Sequence, residues 1–333
     1  MIISLLERSL KLFNTDGQQF NFTDNSLING QRAGWLLKRR EMESLNYVKA
    51  SPGRQKSIKK WFIFSNLIRV LSYFLKMTPL FKIGNSNARN IKVKHVVHQF
   101  VNLPVPFNGL SILHLSDLHL QERPDVIEKI LSLVKGYKVD LLLFTGDFGT
   151  QGIKNFTSEE IAQMAGKVHD RINPTYGSFG VLGNHDHSDL VQPLEQNGVR
   201  LLINECVDIR KDGQSIRIIG TDDPHYYYTE ESKVALSKAI DHFSVALVHT
   251  PELFDMASSY GVDLYLSGHS HGGQICLPFG FPIVTHINSG KRFFKGSWEV
   301  RGMKGYTSSG AGTVALPVRF NSPGEITFHL LRR

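Results

Sequence analysis

The sequence predicts an α/β fold over its last two-thirds, preceded by a basic and mostly helical extension. Three observations carry this reading. Apolar runs of five to seven residues recur from Leu110 onward, and helix-like stretches separate them. Residues 1–106 hold 17 Lys+Arg against 5 Asp+Glu, a balance of +12, whereas residues 107–333 hold 21 against 25, a balance of −4. The net +8 of the chain therefore belongs to its first third, and the two parts require different partners. With 333 residues, 41% hydrophobic and 20% charged, the chain is neither disordered nor a bundle of membrane helices. Its two cysteines, Cys206 and Cys276, exclude a disulfide framework and a four-thiolate zinc site.

In the extension, residues 1–13 read as a short amphipathic helix, because Glu7 and Arg8 interrupt any signal-peptide apolar run. Residues 14–57 are polar and basic, with Arg39-Arg40 and a Ser51-Pro52-Gly53 breaker, and carry no readable chemistry. Residues 61–81, WFIFSNLIRVLSYFLKMTPLF, are long enough for a membrane span. Burying Arg69 at the centre of one would cost roughly 2.5–3.5 kcal/mol. On a helix, Ser65, Arg69, Ser72 and Lys76 form a narrow polar stripe, with Arg54, Lys56, Lys59 and Lys60 ahead and Lys82 behind. That pattern favours a helix lying on an anionic membrane surface. A core-packed helix and a true span stay open as alternatives. Nucleic acid is not expected, since the basic residues accompany a greasy helix and no RNA-binding motif.

Pro104 and Pro106 end this part, and the expected domain runs over residues 107–333. There one device repeats: an apolar run stops abruptly at residues that bind metal or assist chemistry. LSILHL leads into Ser116-Asp117-Leu118-His119, VDLLLF into Thr145-Gly146-Asp147, and YGSFGVL into Gly183-Asn184-His185-Asp186. FSVALV leads into His249-Thr250-Pro251, and VDLYLS into Gly268-His269-Ser270-His271. Helical stretches are expected over residues 125–135, 158–171, 188–196, 230–240 and 252–259, the last opened by Pro251. Alternating strand and helix implies a sheet covered by helices, whose ligands gather beyond the carboxyl ends of the strands.

Those ends supply Asp117, His119, Asp147, Asn184, His185, His249, His269 and His271. Imidazole and carboxylate without thiolate suit Mn, Fe or Zn better than Ca or Mg. Seven of the eight divide between two metals if Asp147 bridges: Asp117, His119 and His271 on one side, Asn184, His249 and His269 on the other. Two cations about 3.5–4 Å apart clamp the attacking and leaving oxygens of an in-line displacement, which suits phosphoryl transfer. The isolated His95, His98, His114, His169, His187, His242, His286 and His329 read as structural.

In order, these blocks resemble the calcineurin-like metallophosphoesterase superfamily over roughly residues 110–331. The resemblance implies a four-layer α/β/β/α sandwich, a dinuclear centre of two divalent ions with Mn foremost, and hydrolysis without a covalent intermediate. It implies that Asp117, His119, Asp147, Asn184, His249, His269 and His271 are metal ligands, and that His185 contacts the phosphate and assists the leaving group. One position departs. Many members carry an Asp three residues after the bridging one to orient the catalytic histidine, and here Thr150 stands there.

Gly272-Gly273-Gln274-Ile275, Gly220-Thr221-Asp222-Asp223-Pro224 and Tyr306-Thr307-Ser308-Ser309-Gly310 resemble bacterial membrane-associated phosphodiesterases. That group includes a UDP-2,3-diacylglucosamine pyrophosphatase of lipid A synthesis, which makes a lipid-linked nucleotide the expected substrate and the membrane surface the expected partner. Other nucleotides or cell-envelope phosphates are the alternative substrates, and a non-catalytic membrane-bound scaffold is the alternative class. Asp222, Asp223, His225 and Tyr226-Tyr227-Tyr228 could line the cleft, although turn-capping aspartates and surface tyrosines are the plainer expectation. Residues 302–312 read as turns, and Cys276 as structural.

Overall fold

The computed structural model describes residues 25–44, 75–150 and 155–333. The helix expected over residues 1–13, and residues 61–74 of the one expected over 61–81, lie outside them. Contacts divide the chain into Met1–Lys38 and Arg39–Arg333. The described part of the first unit is helical and belongs to α1 (Asn25–Ser44). Among the described residues, no helix is long and apolar enough to cross a membrane.

The second unit holds twelve described strands. They are β1 (Lys92–Gln99), β2 (Ser111–Leu115), β3 (Leu141–Phe144), β4 (Ser178–Gly180), β5 (Val199–Leu201), β6 (Glu205–Lys211), β7 (Gln214–Gly220), β8 (Ser244–Leu247), β9 (Leu264–Ser267), β10 (Gly296–Val300), β11 (Met303–Thr307) and β12 (Glu325–Arg332). The helices beside α1 are α2 (Pro79–Arg89), α3 (Asp125–Leu133), α4 (Ser158–Ile172), α5 (Val191–Gln196), α6 (Glu230–Ser237) and α7 (Phe254–Ser259). The strands form two six-stranded sheets, ordered β1-β12-β2-β3-β4-β5 and β10-β11-β9-β8-β7-β6. At the centre of each sheet the strands run parallel: β2 to β5 in the first, β7, β8, β9 and β11 in the second.

Side-chain alternation explains the layering. Ile112, Leu141, Leu143 and Phe179 of the first sheet share one buried core with Ile218, Val245, Leu247, Leu264 and Leu266 of the second. One step out of phase, Ile219, Ala246 and Tyr265 pack with Ala235 and Leu236 of α6 and Ala257 of α7. On the first sheet the out-of-phase Leu113, Leu142 and Phe144 are equally buried, and α3 and α4 bury their own apolar faces. Two sheets flanked by helices make the mixed α/β fold expected. Each of the five apolar runs is a strand, three in one sheet and two in the other.

Two expectations need correction. The boundary at residue 106 falls inside the second unit, because β1 pairs in parallel with the C-terminal β12 over its whole length. As an edge strand β1 exposes Lys92 and Lys94, a common protection of sheet edges, and that charge groups it by composition with the extension. Residues 302–312 are not all turns, since β11 pairs with β9 and β10. Its one glycine sits there for packing: a Cβ on Gly305 would enter the Trp298 indole.

Candidate metal centre

The loops after β2, β3, β4, β8 and β9 converge. One ligand atom from each of Asp117, His119, Asp147 and His271 lies within 4.8 Å of the others, and so do those of Asp147, His249 and His269. Asp147 belongs to both groups. Asn184 joins the second, with Oδ1 3.0 Å from His249 Nε2 and 2.8 Å from His269 Nδ1. All seven are buried. The geometry therefore brings together every residue proposed from sequence as a ligand, in two groups that share one carboxylate.

The backbone is forced to achieve this. Asp117, His119, Asp147, His269 and His271 have φ of 51°, 46°, 54°, 71° and 51°. Each left-handed residue with a Cβ costs about 1–2 kcal/mol, so surrounding bonds must hold it. Asp117 N–H donates to Gly146 O (3.0 Å), His119 N–H to Asp147 O (3.1 Å), and His269 N–H to the Asp117 carboxylate (3.0 Å). Two glycines make room: a Cβ on Gly183 would strike Asp147 Oδ1, and one on Gly268 would strike Ser116 and Asp117.

Burial sets the charge states. It holds the His119 imidazole down at about 3 and those of His269 and His271 well below their ordinary range, so these rings are neutral, as metal ligation requires. Burial also works to raise Asp147, but His249 and His185 outweigh it and hold this carboxyl well below its usual range. His249 is the counterpart: burial opposes its charge, yet the Asp147 and Asp117 carboxylates push it up to about 10.

Hydrogen bonds orient the rings. His249 Nδ1–H donates to Thr145 O (2.7 Å), which turns Nε2 toward Asp147 Oδ2 at 3.4 Å. His119 Nδ1 lies 2.8 Å from Thr150 Oγ1, leaving Nε2 toward His271 Nε2 (3.1 Å) and Asp147 Oδ2 (3.6 Å). Thr150 thus stands behind a candidate ligand rather than behind His185. His271 Nδ1 is buried without a hydrogen-bond partner among the described residues. Two carboxylates, four imidazoles and an amide oxygen, converging at these distances, fit two divalent cations.

His185 is half-buried at the rim. Its backbone N–H donates to Asp147 Oδ1 (2.9 Å), and its ring meets His119 edge-on, 5.3 Å between centroids. Asp223 points inward but caps its own turn, accepting from His225 N (3.1 Å) and Tyr226 N (2.8 Å). His225 lies against the centre, its ring 4.4 Å from that of His269, with Nδ1 3.0 Å from Glu252 Oε1. Tyr227 is buried, not a surface residue.

Three contributors escaped sequence reasoning. Asp186 ties two ligand loops together, its carboxylate accepting from Asp147 N (2.8 Å), Gly183 N (2.9 Å) and Gly149 N (3.1 Å). Its place in the Gly-Asn-His-Asp block was the available signal. Arg319, fully buried, donates to His271 O (3.0 Å) and to the carbonyls of Ser309, Gly310 and Gly312. Arg39 is also fully buried: it donates to Asp222 Oδ1 (2.5 Å) and Asp186 O (2.7 Å), and its guanidinium lies 3.2 Å over the Tyr227 ring. Glu43, one turn on, accepts from Arg39 Nε (3.0 Å) and from Ser188 N and Oγ (2.9 Å each). No local pattern marks either arginine.

Comparison with known proteins places this centre. The model of the calcineurin-like phosphoesterases matches residues 110–273. Metallophosphoesterase YkoQ of Bacillus subtilis is 32% identical over 271 residues, covering 77% of this chain and 96% of that one. The chain belongs to the calcineurin-like metallophosphoesterases. A second B. subtilis metallophosphoesterase, YkuE, is 32% identical over 69% of this chain and 82% of its own length. A transmembrane protein with metallophosphoesterase domain from Bos taurus is 29% identical over 69% of this chain and 54% of that protein. As a metallophosphoesterase the chain is a metal-dependent phosphoester hydrolase, which sets aside the non-catalytic scaffold. Family and buried His/Asp cluster together point to a dinuclear divalent-metal site.

Proposed function

We propose that this metallophosphoesterase hydrolyses a phosphodiester or pyrophosphate bond of a lipid-linked nucleotide at a membrane surface. UDP-2,3-diacylglucosamine, cleaved to lipid X and UMP in lipid A synthesis, is the substrate this reading favours. The observation that carries the chemistry is Asp147, one carboxylate shared by two convergent ligand groups with His185 beside them. Asp117, His119 and His271 would hold one cation, Asn184, His249 and His269 the other, and Asp147 both. Nitrogen and oxygen donors without thiolate favour Mn, with Fe or Zn next.

Bound there, two such cations supply charge stabilisation for the phosphoryl oxygens and a nucleophilic water at neutral pH. The chain's own part is positional and protolytic. Asp186 and Arg39 hold the Gly183–Asp186 loop, which keeps the His185 backbone on Asp147 Oδ1 and its ring beside His119. As water adds to phosphorus and the phosphorus–oxygen bond to the leaving group breaks, His185 donates its proton to the departing oxygen. The water's surplus proton passes to solvent.

The location rests on the basic residues 54–60 ahead of the apolar residues 61–81, which favour a peripheral attachment at the cytoplasmic face of the inner membrane. A relative named for a transmembrane segment supports a membrane setting. Deleting residues 1–83 would be an unsound test, because it would also remove Arg39 from its buried place beside Asp222. Charge reversal of Arg54, Lys56, Lys59 and Lys60 to Glu is the better one. It should lower turnover of vesicle-borne substrate while sparing a soluble aryl phosphodiester. The deciding assay compares Mn-stimulated hydrolysis of UDP-2,3-diacylglucosamine with that of the aryl diester. Preference for the aryl compound would shift the reading to other phosphodiesters. His185→Ala should lower kcat about 10²–10⁴-fold with metal content unchanged.

A further inference from the structure

Directly after the His269–His271 block, the chain makes a projection with no counterpart in the hydrolytic chemistry. Residues 277–283, LPFGFPI, form a short closed turn in which Leu277 N–H donates to Phe281 O (2.8 Å) and Gly280 N–H to Leu277 O (3.1 Å). The bridge between Cys276 and Pro282 closes its base. Four of its seven side chains are large, apolar and in water: Leu277 is 56% exposed, Phe279 98%, Phe281 66% and Ile283 60%. Single exposed apolar residues are ordinary, but such a cluster on one projection marks an interaction surface. Phe279 at the tip has φ 65°, a conformation unfavourable for a bulky side chain, so the fold sustains strain to present it.

The surroundings indicate what it meets. Residues 264–298 contain Lys291, Arg292 and Lys295 and no Asp or Glu. All three cations are exposed, and Lys295 Nζ would lie 3.9 Å from a Cβ built on Gly280 at the tip. An apolar tip with Lys295 beside it, and with Lys291 and Arg292 exposed in the same stretch, complements an anionic bilayer, where rings enter the acyl boundary and ammonium groups meet headgroups. The neighbouring element repeats the pattern. Residues 317–321 bind the turn on one side, through Cys276 N–H to Phe320 O (2.9 Å), and α2 on the other, through Arg319 N–H to Gly84 O (2.9 Å). Helix α2 exposes Leu80, Ile83 and Lys82. On its inner side the turn continues into residues 282–288, which with Lys291 line a groove of about 520 Å³. His269 Nε2 donates to His286 O in that wall, at 3.3 Å.

We propose that residues 277–283 are a membrane-inserting prong, aided by Lys291, Arg292 and Lys295, that sets the mouth of the metal centre at an anionic lipid surface. The prong is independent of which phosphoester is cleaved and is separate from the segment 54–81.

Partitioning of the full-length chain onto phosphatidylglycerol/phosphatidylcholine vesicles tests it without any turnover. Phe279→Asn with Phe281→Ser, in which Asn suits the left-handed tip, should weaken partitioning at least tenfold and leave soluble aryl-diester turnover unchanged. Lys291→Glu with Lys295→Glu should weaken it on these vesicles and much less on pure phosphatidylcholine. Phe279→Trp, relative to the parent chain, should add blue-shifted emission that brominated acyl chains quench. Unchanged partitioning of the Asn/Ser variant, or solvent-like emission from the new Trp, overturns the proposal. A parallel fall in soluble turnover, or a dimer that the double variant abolishes, overturns it equally. Failure to cleave the lipid-linked nucleotide while partitioning persists would refute the substrate reading alone.

Discussion

Two groups of histidines are equally buried in this molecule, and only one of them surrounds carboxylates. His119, His249, His269 and His271 close around Asp117 and Asp147. His98, His329 and His114 instead run in a chain: His98 Nε2 is 2.9 Å from His329 Nδ1, and His329 Nε2 is 3.4 Å from His114 Nδ1. His114 Nε2 then lies 2.8 Å from Thr145 Oγ1. The Tyr306 ring packs edge-on against both His114 and His329. Burial pushes His98 down to about 4, His114 to about 3 and His329 well below its ordinary value. Burial opposes charge on the imidazoles of both groups, although the Asp147 and Asp117 carboxylates push His249 the other way, and only the first group has anions that repay bringing a dication out of water. Burial and residue type do not make a metal site; the carboxylates do. Thr145 touches both groups, its hydroxyl on His114 and its carbonyl on His249.

The largest test of that contrast is Asp147→Asn. Removing the shared charge should lower turnover by at least about 10³-fold and leave less than one equivalent of tightly bound metal by elemental analysis. Two retained equivalents with normal turnover would end the comparison. Next comes Arg39→Met, which leaves the Asp222 carboxylate buried beside an apolar side chain. Loss of one partner from a buried pair costs about 3–5 kcal/mol, read in urea unfolding, and the Asn184–His185 loop should loosen with it. Parent-like stability would show that Asp222 finds another partner.

The histidine chain should appear in pH dependence rather than in metal content. These imidazoles have folded pKa values below the unfolded value of about 6.5, so the unfolded chain binds more protons under that pH. Their stabilisation is complete above about pH 6.5 and is lost as pH falls toward 4 and 3. For His98 alone it amounts to about 3 kcal/mol. His98→Phe should flatten the pH dependence of unfolding between 6.5 and 4 with two metal equivalents intact; lost metal would place this chain within the centre. The smallest effect is expected at Thr150→Val, which removes the hydroxyl behind His119 Nδ1. Metal affinity should weaken by about 10–100-fold, seen by competition with a chelator.

Legibility from sequence followed the range of the interaction. Strands β2, β3, β4, β8 and β9 were readable because each is a short apolar run cut off by a polar block, a signal contained in ten residues. Helix α4 was equally plain as a stretch over residues 158–171, and the structure adds the capping box of Thr157 and Glu160 at its start. Strands β1 and β11 were missed for opposite reasons. One is an edge strand carrying lysines, and the other is a short run whose Gly305 makes room for Trp298. The ligand residues were legible as types at strand ends. Thr150 was visible as a departure, but its hydrogen bond to His119 was not.

The sequence by itself determined the donor set and the order in which it arrives, because residue chemistry and the abrupt end of an apolar run are local properties. It also determined that the positive charge gathers in the first third. Only the tertiary structure decided that strand ends from two separate sheets share one carboxylate. Only it placed Arg39 against Asp222 across 183 positions, and bared the turn at 277–283 beside the centre. Those outcomes depend on which surfaces bury one another across the whole chain, and no periodicity within a short window encodes them.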